Sequence, residues 1–153
     1  MTRLGDLLVK QRLLTPAQCD QIECMQRRCG RPFGALAEQV FGLSARQIEA
    51  AWVVQFAAMT ERVVPLTESV DRSAQRAVNR RQAWQFRVVP LRLDGGELVL
   101  ATTPKNVARA LRFVERSLAC RCVVVLAEES DLLDALEKWY PMAGARECVN
   151  SVA

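Results

Sequence analysis

Apolar residues between positions 15 and 55 recur at helical spacing in two segments. In order along the chain, they are Cys19, Ile22, Met25, Ile48, Trp52 and Val53. Residues three or four positions apart lie on the same face of an α-helix, so each segment is predicted to be an amphipathic helix.

Each of these helices is preceded by a capping signal. Thr15 and Gln18 have the spacing of a capping box, with Pro16 at the first helical position. Ser44 and Gln47 repeat the device without the proline. Shorter helices are predicted before the two caps, over residues 5–11 and 34–40. The N-terminal part is therefore predicted to form two helical hairpins, four helices in all.

The two hairpins are copies of one sequence pattern, residues 3–26 and 32–55, offset by 29 positions. The matching pairs are Gly5 and Gly34, Leu7 and Leu36, Leu14 and Leu43, Thr15 and Ser44, Gln18 and Gln47, and Gln26 and Gln55. One hairpin alone cannot bury its apolar side, so the copies are predicted to pair pseudo-symmetrically.

A DNA-binding helix-turn-helix is a competing interpretation of the hairpins. A recognition helix presents basic or amide side chains near its start. Here Asp20, Glu23 and Glu49 follow the helix starts, so DNA or RNA is not expected as a partner. A duplicated packing unit without any ligand remains an open alternative.

The second half mixes strand and helix signals. Asp94, Gly95 and Gly96 form a hairpin turn between two apolar runs, and Thr103 followed by Pro104 resembles a helix start. The predicted elements are a helix over 73–82, strands over 86–93 and 97–102, a helix over 104–119, a central strand over 121–127, and a helix over 128–140. The fold class is therefore α+β: a pair of helical hairpins followed by a small ββαβα unit.

This pattern divides the chain into four parts. We expect a helical repeat subdomain over 1–59, a linker over 60–71 with a short strand at 62–66, an α+β subdomain over 72–141, and a frayed tail over 142–153.

Composition narrows the chemistry. The 153 residues are 50% hydrophobic and 25% charged with a net charge of +4, which is a globular balance. The chain contains no histidine, so histidine triads, histidine general bases and histidine-containing zinc sites are excluded. It has neither a phosphate-binding P-loop motif nor a dinucleotide-binding glycine fingerprint. We therefore expect no enzyme, no catalytic residue, no metal and no cofactor.

Cysteines and arginines leave alternatives open. The cysteines, interpreted as reduced thiols or as a regulatory or metal-binding set, are Cys19, Cys24, Cys29, Cys120, Cys122 and Cys148. Arg72, Arg76 and Arg80 lie four apart, either as a solvated helix face or as a surface for an acidic partner.

Together the two halves resemble the N-terminal domain of type II secretion and type IV pilus assembly ATPases, including the MshE type that binds cyclic di-GMP. The first repeat keeps that family's Arg3, Leu4, Gly5, Leu8 and Gln26, and the five-residue spacer between copies also matches. In the second half the similar segments are 85–91, 98–104 and 136–140.

The resemblance implies a regulatory or adaptor domain that docks on a protein partner of a secretion or pilus-type assembly. No ATPase follows in this sequence, so we expect the docking role without hydrolysis. The alternative implied function is a cyclic di-GMP receptor. By resemblance its ligand-binding residues are Arg3, Leu4, Gly5, Leu14, Gln26, Arg31, Gly34, Leu43 and Gln55. Pro32 stands at the family's second arginine, one position after Arg31, and Phe41 replaces its second mid-repeat glycine.

The expected location is the cytoplasm, without membrane insertion. The longest apolar stretches are far shorter than the ~18 residues that a membrane span needs. Arg3, Asp6, Lys10 and Arg12 interrupt the apolar N-terminus, which therefore lacks the apolar core of a signal peptide.

Overall fold

The computed structural model describes residues 3–151. The chain divides into two compact units, Met1–Met59 and Thr60–Ala153. The outer ends of the predicted helical subdomain and tail, residues 1–2 and 152–153, lie outside the described residues.

The first unit consists of four helices, as predicted. They are α1 (Leu4–Lys10), α2 (Pro16–Cys29), α3 (Phe33–Phe41) and α4 (Ala45–Met59). Helix α1 packs against α4, and α2 packs against α3. The 29-residue offset maps one of these pairs onto the other, which is the pseudo-symmetric pairing predicted from the repeat.

Local chemistry fixes the helix ends. The Thr15 hydroxyl accepts a hydrogen bond from the Gln18 amide, and the Gln18 side chain accepts one from the Thr15 amide. Ser44 and Gln47 form the same reciprocal pair. Gly30 ends α2 at φ 68°, a left-handed conformation that glycine adopts without a steric penalty. The capping boxes predicted from the sequence are thus confirmed.

The core of the helical unit draws on both repeats. Its buried members are Leu7, Leu8, Leu14, Cys19, Ile22, Leu36, Ala37, Leu43 and Ala51. Most of these positions form repeat-related pairs, so each copy contributes the same face to one shared core.

The second unit is built on a three-stranded sheet. Its strands are β1 (Val89–Asp94), β2 (Glu97–Thr102) and β3 (Cys122–Leu126), in the order β1-β2-β3. Strand β1 pairs with β2 antiparallel, and β2 pairs with β3 parallel. Its helices are α5 (Arg72–Gln75), α6 (Arg80–Phe86), α7 (Val107–Ser117), α8 (Glu129–Trp139) and α9 (Ala145–Ser151). The predicted α+β class and the order ββαβα are confirmed.

Trp84 and Tyr140 connect helices across the core of the second unit. The Trp84 indole is 3% exposed and donates a 2.6 Å hydrogen bond to the Tyr140 carbonyl. The Tyr140 hydroxyl donates a 2.6 Å bond to the Gln75 carbonyl. Burial raises the pKa of that hydroxyl well above its usual range. These bonds attach α5, α6 and the end of α8 to one another.

The prediction of one continuous helix over 73–82 is wrong. Two short helices, α5 and α6, occupy the region, because the Asn79 side chain accepts from the Gln82 amide and starts a new helix. Phe86, predicted to begin a strand, ends α6, and β1 begins at Val89. Arg72, Arg76 and Arg80 therefore do not share one helix face.

Two further predictions in the second unit are corrected. Helix α7 begins at Val107 instead of Pro104, because residues 104–106 form a turn in which the Asn106 side chain bonds the Thr103 hydroxyl at 2.7 Å. Strand β3 lies at the edge of the sheet, and β2 is central. Along the outer side of β3, only Leu126 forms an isolated bridge, with Arg62, among residues 3–151.

The segments predicted as linker and tail both carry structure. Around Arg62, the Val63 amide donates to the Leu126 carbonyl at 2.8 Å. Pro65–Thr67 forms a single 3-10 turn in place of the rest of the short strand predicted at 62–66. The tail expected to be frayed contains α9, where Arg146 donates at 2.8 Å to both Asp134 and Glu137 of α8. These long-range contacts order residues whose local sequence shows no helix pattern.

Candidate functional site

All nine ligand-binding residues predicted by resemblance lie in the helical unit. Arg3 precedes α1, and its main-chain N–H donates to the Asp6 carboxylate at 3.2 Å. Its guanidinium is 77% exposed and lies 3.8 Å from the Glu23 carboxylate of α2. An ion pair this long and exposed contributes little to stability, so the Arg3 guanidinium is available to an anion.

The two repeat glycines sit where helices approach closely. A Cβ at Gly34 would lie 2.8 Å from the Ile48 Cγ2, closer than packed side chains allow. A Cβ at Gly5 would lie 3.1 Å from the Phe33 ring and 3.4 Å from the Cys19 sulfur. Cys19 and Ile48 are repeat-related, so both glycines serve the same helix contact. Helix packing alone accounts for these two residues.

The predicted leucines belong largely to the core. Leu14 and Leu43 are buried at repeat-related positions, and Leu4 packs against the same cluster while remaining partly exposed. Buried leucines can support a ligand surface only from behind. Of the three, Leu4 alone offers solvent-facing area to a ligand.

The remaining predicted residues lie on the outer parts of the unit. Gln26 in α2 and Gln55 in α4 are both half-buried. Arg31, between α2 and α3, donates to the Gln39 side chain of α3. Arg3 and Arg31 are therefore engaged by different partners, Glu23 and Gln39.

Comparison with known proteins identifies the second unit. Residues 58–146 match the MshEN domain. The chain belongs to the MshEN domain family. This confirms the family that the sequence resembles.

Two solved structures were found to be similar to this chain. The structure of MshE with cdg (cyclic di-GMP) is 23% identical, with a TM-score of 0.51 over 92% of this chain and 100% of that one. The N-terminal domain of XpsE is 18% identical, with a TM-score of 0.46 over 90% of this chain and 95% of that one. A search of curated proteins gave no match. The likeness to MshE extends the fold assignment over both units of this MshEN chain.

The cysteines of the MshEN chain are free thiols. Burial, reinforced by nearby carboxylates led by Glu23, raises the pKa of Cys19. Burial and the neighbouring Cys120 raise the pKa of Cys122 to about 11. Thiols with raised pKa values are poor nucleophiles and poor metal ligands at neutral pH. Across residues 3–151, no group of three or more cysteine or carboxylate side chains is arranged to hold a metal ion.

Sequence reasoning missed two features of this MshEN chain. One is the surface of α4, where eleven of fifteen residues are apolar but Ala51 alone is fully buried among the helix's described residues. The other is a cavity lined by arginines at the ends of β2 and β3. The high proportion of apolar residues in α4 could have indicated the first feature. The second depends on which strands lie parallel, which the sequence pattern did not give.

Among residues 3–151, no helix combines the length and the apolar character that crossing a membrane requires.

Proposed function

We propose that this MshEN domain is a non-catalytic regulatory module that docks on a protein partner of a secretion or pilus-type assembly. Membership of the family and the fold shared with MshE support a binding role. The absence of histidine and of nucleotide-hydrolysis motifs supports a role without catalysis.

The surface of α4 is the observation that carries this proposal. We define the α4 surface as the apolar residues that follow one another around the outside of the helix: Met59, Trp52, Phe56, Val53, Ala57 and Val54. Val54 is 47% exposed and Met59 is 55% exposed, while Trp52 and Phe56 are half-buried with ring centroids 5.2 Å apart. Contiguous apolar residues with an aromatic pair are typical of protein interfaces, whose centres are depleted in charge.

Replacing Val54 with aspartate should remove the partner. An unpaired carboxylate in an apolar interface loses its hydration without gaining a counter-charge, so association becomes unfavourable. The tagged chain would be purified from cells of its source, and co-purifying proteins identified by mass spectrometry. We expect secretion or pilus-assembly proteins with the unchanged chain and background levels with Val54→Asp.

Leu93→Asp provides the matched control. Leu93 is also an exposed apolar residue, 50% accessible, but it lies in β1 of the second unit. The Leu93→Asp variant should therefore retain the partner. The proposal would be contradicted if Val54→Asp recovered as much partner as the unchanged chain. It would also be contradicted if no secretion or pilus-assembly protein co-purified with the unchanged chain.

Cyclic di-GMP binding is the second candidate function. It is favoured by the exposed, weakly paired guanidinium of Arg3 at the start of α1 and by the fold shared with MshE, whose structure contains that ligand. An arginine can donate two parallel hydrogen bonds to a phosphate or stack on a base. Gly5 and Gly34 take part only indirectly, because helix packing already accounts for them.

Arg3→Ala should weaken cyclic di-GMP binding about tenfold to a hundredfold, since one charge-assisted hydrogen bond is lost. Calorimetric titration of the full chain measures this directly. Arg28→Ala is the control, because Arg28 is an exposed arginine in α2 outside the proposed ligand set. Absence of binding at millimolar ligand, or equal binding by both variants, would exclude the receptor function.

A further inference from the structure

A cavity of about 1080 Å³ opens in the second unit at the carboxyl ends of its two parallel strands. Lys105 and Asn106, which follow β2, line it, as do Glu129 and Ser130, which follow β3. Ligands of sheets with parallel strands bind in this position, where the chain leaves each strand and enters the next helix.

The charged residues that line the cavity are predominantly cationic. Arg81, Arg87, Lys105 and Arg109 face it, and Glu129 is the single carboxylate among the described lining residues. Within residues 3–151, none of these four cations has a carboxylate oxygen within ion-pair distance. Arg146 also lines the cavity but is paired with α8. The cavity therefore holds excess positive charge, which Glu129 offsets only in part.

The main chain of Arg87 and the guanidinium of Arg109 are positioned at this cavity by their own contacts. Arg87 follows the end of α6 in a left-handed conformation, φ 53°, and its carbonyl accepts a 2.7 Å bond from the Thr102 hydroxyl. The Arg109 guanidinium lies 5.7 Å from the centroid of the Phe86 ring. Burial, and then the charge of Arg109, lower the pKa of Arg87, while the charge of Glu129 acts in the opposite direction. An anion placed between the two would relieve this repulsion.

We propose that the cavity binds a phosphate-bearing small molecule of nucleotide size. Guanidiniums match phosphate oxygens with paired N–H donors, and Lys105 adds a point charge. Residues at the starts of α7 and α8 also line the cavity, and helix starts favour anions. The volume lies at the upper end of small-molecule pockets and far exceeds that of a lone phosphate ion. The inference rests on the second unit alone and is independent of the α4 surface and of Arg3.

The test is a titration of the full chain with ADP, followed by backbone amide NMR. We expect shifts concentrated at Lys105, Asn106, Glu129 and Ser130, no such shifts with adenosine, and weakening as salt rises. Arg87→Gly should raise the ADP dissociation constant about tenfold to a hundredfold. Glycine adopts the left-handed conformation freely, so this variant removes the guanidinium without straining the fold.

Two matched variants make the result decisive. Arg116→Gln removes an exposed charge from α7 outside the cavity and should leave ADP binding unchanged. Arg76→Gln alters a separate, smaller basic pocket, lined also by Arg72, Arg80 and Lys138, and should likewise have no effect. The proposal would be overturned by the absence of amide shifts at millimolar ADP, by equal binding with Arg87→Gly, or by a loss that follows Arg76→Gln instead.

Discussion

Replacing Trp84 with alanine should lower the free energy of unfolding of the second unit by about 3–5 kcal/mol, the usual cost of removing a large buried aromatic residue. The side chain is almost fully buried in the core of that unit. Its indole also supplies the 2.6 Å hydrogen bond to the Tyr140 carbonyl, so truncation leaves both a cavity and an unpaired carbonyl. The loss should loosen α6 and the end of α8 together.

Native-state hydrogen exchange on the full chain measures the loss of stability in each unit separately. Amides of β2, such as Val99 and Leu100, should lose protection in Trp84→Ala. The conservative variant Trp84→Phe keeps most of the packing and removes only the N–H donor, so it should cost less. Protection unchanged by Trp84→Ala would mean that this tryptophan does not hold the second core together.

Ile22→Ala should destabilise the helical unit by about 2–5 kcal/mol, the range for truncating a buried isoleucine. Ile22 is fully buried in α2. Its repeat-related position in α4 is Ala51, also fully buried, so the second copy offers no larger side chain at that position to fill the space. The cost should therefore fall toward the upper part of the range.

Hydrogen exchange of the α2 and α3 amides reports this loss. Val54→Ala is the control, because a half-exposed surface position should change stability by no more than about 0.5 kcal/mol. An Ile22→Ala variant as stable as Val54→Ala would contradict the shared core inferred from the repeat.

The features that the sequence predicted well are those fixed by neighbouring residues. The capping boxes at Thr15 and Ser44 need partners only three positions away, and the turn at Gly95 needs only its own strands. The pseudo-symmetric pairing of hairpins could also be predicted, because both copies of the repeat carry apolar residues at the same positions. Such features can be predicted without knowledge of the tertiary structure.

The predictions were wrong where contacts between residues far apart in the sequence determine the local structure. Helix α9 forms beside α8 through Arg146, whose partners lie nine and twelve residues away. Strand β3 contains three consecutive valines, a pattern typical of a central strand, yet Val123 is exposed at the sheet edge. The break before α6 was signalled locally by Asn79 and Gln82, a capping box that the apolar pattern obscured.

For the candidate sites, residue type alone gave an incomplete account. Helix packing requires glycine at the repeat positions, and only the structure shows this, through the close approach of Gly34 to the Ile48 side chain. Arg87 and Arg109 are twenty-two residues apart, and the fold brings both to one cavity. A site made by parallel strand ends depends on topology, which a single sequence does not state.

We propose that this MshEN chain acts by docking on a protein through the α4 surface. The most direct measurement is calorimetry between the purified full chain and the secretion or pilus-assembly protein that co-purifies with it, without any nucleotide. We expect saturable binding that Val54→Asp abolishes and that Leu93→Asp and Arg3→Ala preserve. Binding that survives Val54→Asp, or that appears only after cyclic di-GMP is added, would contradict it.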